Sequence, residues 1–260
     1  MKKTILILVL FLIANIGLNW VRSLFEFDLT TDLAAKAAIK LGLVFFAFRA
    51  IINQHKTWTY TRANALWAVV CTVILALAYY RMDGLLQGTS AAGEHALNSL
   101  YLLSCLGTGF FEELLFRVFV FSALFYVAFN NKSTKKRYYL SLFWASLAFG
   151  LAHLPNALKA GTEYYGILNQ VVFAFFIGLV FQGLLIRFKS IVLIGVLHGL
   201  VNYFGAYRTN LEIPREIPSG TFQEFLLNLL ILTTIAALIC VPITYALIRK
   251  ELRTTQDTPL

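Results

Sequence analysis

About eight runs of largely apolar residues, most of them long enough to cross a bilayer, follow one another along this chain. They lie at roughly 4–21, 33–53, 63–80, 96–129, 139–157, 164–187, 190–206 and 222–249. A span needs about 20 such residues to cover ~30 Å of hydrocarbon, and lipid offers no water to satisfy backbone groups, so runs of this kind fold as helices. Charged residues make up 13% of the chain, against about 25% in a soluble domain. The expected fold is therefore all-α: a polytopic membrane protein, about eight transmembrane helices in one bundle, with 1–260 as a single membrane domain. The first run, ILILVLFLIANIGLNW, lacks a small-x-small cleavage site and reads as an uncleaved helix. The fourth is too long for one straight span, and Gly107-Thr108-Gly109 offers a break just before two acids.

The net charge of +9 does not indicate nucleic acid, because the basic residues sit between apolar runs rather than on one face. Their distribution sets orientation instead. With eight helices and both termini inside, the inner segments collect 14 of the 22 basic residues, including Lys2, Lys3, Lys135, Lys136 and Arg137. The outer segments collect seven, counting Lys36 and Lys40 at the outer start of the second helix, and Arg117 alone lies within the membrane. Positive charge on the inside predicts N-in, C-in topology. Cys71, Cys105 and Cys240 are scattered singly and read as packed free thiols.

Ionisable groups inside these runs carry the functional signal. Of the 13 acids, Glu112 and Glu113 are the two that fall well inside a predicted span, and His153 and His198 share that position. Such a group costs at least ~2.5–3.5 kcal/mol on insertion scales, so it is usually retained for function. Glu113 and Arg117 are four residues apart, in the favourable order for an ion pair. Glu112 is rotated about 100° away, so one acid can be neutralised while the other faces a cavity. Phe149 and His153 repeat the four-residue spacing in FGLAH, as do His198 and Asn202 in HGLVN, with Gly150 and Gly199 allowing close helix approach. At 1.5 Å per residue, Glu112 lies ~27 Å from its inner helix end, His153 ~21 Å, Asn202 ~18 Å and His198 ~12 Å, depths that overlap once boundary error is allowed for. Carboxylate and imidazole at one depth suit water activation, with other donors stabilising an oxyanion.

EELLFR, FGLAH and HGLVN, in that order and each on its own helix, resemble the EExxxR, FxxxH and HxxxN motifs of the CPBP family. That family comprises CAAX prenyl endopeptidases and bacteriocin-processing-type membrane proteins, also called Abi. The resemblance covers roughly 96–206 as a catalytic core. It implies an intramembrane endopeptidase in which Glu112 and His153 activate water, His198 and Asn202 form the oxyanion hole, and Glu113 and Arg117 support the site. It also implies a membrane-associated peptide or protein as substrate, with membrane lipids as surroundings and no nucleic-acid partner. No cofactor is required for that mechanism. A divalent metal such as zinc is the competing view within the family, and Glu112, His153 and His198 would be its ligands.

Other readings of the same residues stay open. Glu113–Arg117 serves equally well as a structural ion pair, and His198 with Asn202 as hydrogen-bond glue between helices. A non-proteolytic regulator or immunity protein could use the same bundle. Intramembrane Glu and His also mark ion paths in transporters, although no inverted repeat of motif-bearing halves is present. His55 and His95 sit in polar stretches and read as solvated. A short chain with few long loops suits a prokaryotic plasma membrane.

Overall fold

The computed structural model describes residues 27–52, 95–158, 164–210 and 222–254, with short pieces of 10–25. Every element of regular structure among them is helical. The long helices are α1 (Leu29–Ile52), α2 (His95–Glu113), α3 (Thr134–Leu151), α4 (Tyr164–Phe188), α5 (Ile191–Asn210) and α6 (Phe222–Thr254). The run at 63–80, half of the run at 4–21, Cys71 and His55 lie outside the described residues.

Two helical stretches, Gly166–Phe188 and Phe222–Arg253, are long and apolar enough to cross a membrane, and Ile191–Tyr203 is apolar but shorter. In α4 72% of the apolar window is buried, whereas in α6 only 11% is. So α4 is a core helix, and α6 turns Leu227, Leu230, Ile235 and Leu238 outward. An exposed apolar face of that extent fits lipid contact. The eight-helix arrangement reaches beyond these two stretches and remains an expectation.

Local chemistry fixes several boundaries. Asp28 accepts the backbone N–H of Thr31 at 2.7 Å and so caps α1, and Asp32 in its first turn pairs with Lys36 and Arg22. Ser190 caps α5 by accepting the N–H of Leu193 at 3.2 Å. Just before it, Lys189 takes a left-handed conformation (φ 54°). Arg137 of the KSTKKR loop donates to the carbonyls of Asn130 and Lys132, folding the loop against the start of α3. Pro242 lies inside α6 without ending it.

The chain groups into two compact units. One comprises Met1–Leu115 with Lys189–Glu216, the other Phe116–Phe188 with Ile217–Leu260. In the first, α2 packs against both α1 and α5. A Cβ added at Gly109 would stand 2.5 Å from the Gly199 nitrogen and 2.8 Å from the Gly195 oxygen, and one at Gly199 2.8 Å from the Leu106 Cα. The two backbones are therefore in direct contact, as small-xxx-small pairs permit. In the second unit, α4 packs against both α3 and α6, with Gly150 set against the Val171 carbonyl and Gly183 against Leu247.

Three expectations are corrected. The fourth run does not break at Gly107-Thr108-Gly109, since α2 runs through it unbroken. Gly107 and Gly109 serve close packing there, not a bend. The irregularity follows the acids, where Leu114–Val120 and Leu124–Ala128 widen into π geometry with i→i+5 bonding. The fifth run stops being α-helical at Leu151, so His153 sits in the turn before a 3₁₀ segment, Leu154–Leu158. Lastly, Lys40 is not at the outer edge of its helix: it is half-buried, with its Cβ against Gly107.

Candidate active site

The glycine contact between α2 and α5 places the acids. Glu113 lies one turn beyond Gly109, and His198 immediately precedes Gly199. The fully buried Glu113 Oε1 lies 2.8 Å from Nδ1 of His198, which is itself buried. On the other edge of the imidazole, Nε2 lies 3.5 Å from Oε2 of Glu112. Glu112 keeps 23% of its side chain exposed against none for Glu113, so the neighbouring acids occupy different surroundings.

Counting protons gives the ring's options. With one proton shared between Glu113 and Nδ1 and none on Nε2, the outer nitrogen is a base. With one more proton on the Glu113–His198 pair, Nε2 carries a hydrogen and becomes a donor aimed beside Glu112. Oxyanion stabilisation by His198 requires that second state.

Asn202 follows one turn later on α5. Its backbone oxygen accepts the Tyr101 hydroxyl at 3.3 Å, and the Tyr101 ring packs against Tyr203 at 5.3 Å. Tyr101 is almost wholly buried, beside Leu33 and Cys105, and ties α5 to α2 near the site. On α1, the Lys40 ammonium lies 4.0 Å from the centre of the Phe111 ring, the residue before Glu112.

In the second unit Phe149 organises the other motif residues. Its carbonyl lies 2.9 Å from Nδ1 of His153, and a carbonyl can only accept, so Nδ1 carries the hydrogen and Nε2 of the neutral ring keeps its lone pair. The Phe149 ring meets the His153 ring edge-on at 5.1 Å, and Phe116 at 5.2 Å. The guanidinium of buried Arg117 lies 4.4 Å from the same ring, a cation–π contact. Phe149 thus holds an imidazole through both its backbone and its side chain.

The structure therefore brings Glu112, Glu113 and His198 together in one unit, with Asn202 on the same helix. Arg117, Phe149 and His153 lie together in the other. The four-residue spacing of Glu113 and Arg117 was read on an α-helix, whereas residues 114 to 120 have π geometry. His198, on another helix, is a partner of Glu113 that spacing along one helix does not show. Tyr101, Lys40 and Gly195 were not singled out from sequence as site residues. GVLHG at 195–199 carried a readable small-xxx-small signal, whereas Tyr101 and Lys40 carried none. Among the described residues no group of three or more His, Cys, Asp or Glu side chains is placed to hold a metal ion, and no step below is routed through one.

Buried carboxylate and imidazole groups between apolar helices make a site chemically suited to activating water. Residues 94–204 match the family described as type II CAAX prenyl endopeptidase Rce1-like, so the resemblance carried by the three motifs is found over the segment that contains all of them. No curated protein and no solved structure matches the chain.

Proposed function

We propose that this chain is an intramembrane endopeptidase of CAAX type that hydrolyses a peptide bond in a membrane-associated protein or peptide. The observation that carries the reading is the Glu113–His198–Glu112 arrangement, one acid sealed against an imidazole and the other open beside it. Glu112 is the base that takes a proton from the attacking water, helped by Nε2 of His153, whose tautomer Phe149 sets. His198 and Asn202 stabilise the oxyanion of the tetrahedral intermediate. Glu113 holds His198 in place, and Arg117 braces Phe149. No metal is needed for these steps. The protein spans the membrane several times with both termini inside, in a prokaryotic plasma membrane.

The two acids separate this reading from its reverse. Glu112→Gln keeps size and hydrogen bonding but removes the base, so cleavage collapses while thermal stability in detergent holds. Glu113→Gln removes a fully buried acid bonded to a buried imidazole. Breaking a buried pair of this kind costs ~3–5 kcal/mol, so stability or yield falls as well. Should Glu112→Gln unfold the protein while Glu113→Gln stays folded and inactive, the roles are exchanged.

A further inference from the structure

Lys40 has no role in the steps above, yet its ammonium is held in the layer of the acids. Gly107 fixes where the side chain starts, since a Cβ at that position would lie 3.0 Å from the Lys40 Cβ. From there the stem runs one turn along α2 and ends over the Phe111 ring, 4.0 Å from its centre. Phe111 is buried and adjoins Glu112, and the ammonium lies within electrostatic reach of the Glu112 carboxylate. Among the described residues no carboxylate forms an ion pair with it; Glu112 and Glu113 instead pair with His198, and Asp32 with Arg22 and Lys36. A lysine on an apolar helix ordinarily extends its head to water. This one stacks on the aromatic face of the residue before the base, half withdrawn from solvent and in no ion pair among the described residues.

We propose that Lys40 is the receptor for the free C-terminal carboxylate of the peptide substrate. This rests on the endopeptidase reading of the same site. An anionic chain end brought near Glu112 and Glu113 is repelled by both, and Lys40 is the cation that offsets this on the Phe111 side. An aromatic face supports an ammonium without supplying a counter-charge, so the N–H donors turned away from the ring remain for a carboxylate. Because the ammonium stacks on the ring of the residue before the base, the pairing selects peptides whose scissile bond is close to the C-terminus. It disfavours chains that continue past that point or end in an amide.

The test uses the full chain in detergent and one fluorescent S-farnesyl peptide of CAAX form, prepared as the free acid and as the C-terminal amide. Binding is read by fluorescence polarisation and cleavage as kcat/KM. The wild type binds the acid about tenfold more tightly than the amide, the scale of one charge-assisted contact. Lys40→Met binds both forms equally, at the wild-type affinity for the amide, and Lys40→Arg keeps the preference. A merely structural role would weaken both peptides together and leave their ratio unchanged. Should Lys40→Met not fold, Lys40→Gln carries the comparison. A wild type indifferent to amidation, or a folded Lys40→Met that retains the acid preference, overturns the proposal. Absence of cleavage with the acid preference intact sinks the endopeptidase reading and leaves the carboxylate receptor standing; cleavage of both peptides with equal affinity does the opposite.

Discussion

Replacing Gly109 by alanine tests whether backbone contact between α2 and α5 sets the site. The new Cβ would stand 2.5 Å from the Gly199 nitrogen and 2.8 Å from the Gly195 oxygen, both backbone atoms with no rotamer to yield. Reaching an ordinary 3.4 Å contact means separating the helices locally by about 0.9 Å. Carried to the next turn, that stretches the 2.8 Å bond between Glu113 and His198 to about 3.7 Å, beyond hydrogen-bond range. Overpacking of this kind costs ~1–3 kcal/mol, offset by up to ~1 kcal/mol from the better helix propensity of alanine. With the full offset the net loss is ~0–2 kcal/mol, which lowers Tm by up to roughly 8 °C in a chain of this size. Activity suffers more, because a displacement near 1 Å in a catalytic group costs on the order of 10²-fold. Gly42→Ala is the control: it lies within α1 with nothing inside 4 Å of its added Cβ, so stability stays level or rises slightly and cleavage is unchanged. Differential scanning fluorimetry in detergent and cleavage of a fluorescent peptide read both effects. A Gly109→Ala protein that matches wild type in Tm and rate would refute the reasoning, as would a Gly42→Ala protein equally damaged.

Two further outcomes follow from features away from the acids. Asp28 is exposed and precedes α1, and the backbone N–H of Thr31, followed by the Thr31 side chain, holds its carboxyl below the usual value. A depressed folded value means that the cap stabilises above the unfolded carboxylate range, near ~3.9, and that this is lost as pH falls through the folded value. The Tm difference between wild type and Asp28→Ala should therefore be constant from pH 7 to 5 and vanish in strong acid; a difference that persists there rules out the carboxylate as its source. A topology reporter fused after Lys136 should be cytoplasmic, and one placed at 209–219 should lie outside. Both on one side would break the N-in, C-in arrangement.

The motif residues were legible because ionisable groups inside apolar runs, at four-residue spacing, leave few innocuous interpretations. Glu112, Glu113 and His198 do meet, and Phe149 does hold His153. The Glu113–His198 contact was not legible, because spacing reports only neighbours on one helix and the imidazole comes from another. Nor was the π geometry after Glu113, since LLFRVFV reads as ordinary apolar helix. Gly107 and Gly109 were taken for a break because glycine in a long run serves bending and close approach alike, and only the facing helix decides between them. Lys40 reads from sequence as lying at the outer start of its helix; its actual direction is set by the gap that Gly107 leaves on α2.

The length of α6 carries its own consequence. Its 33 residues measure about 50 Å at 1.5 Å per residue, against ~30 Å of hydrocarbon. Even a tilt of 40°, the steep end of what spanning helices adopt, leaves about 8 Å of its projected length standing outside. The surplus end is the one bearing Arg249, Lys250 and Arg253, all exposed, so these side chains would lodge among phosphate headgroups. In a bilayer, α6 then acts as a depth gauge, its apolar wall sliding with membrane thickness while the basic collar stays pinned at the lipid surface.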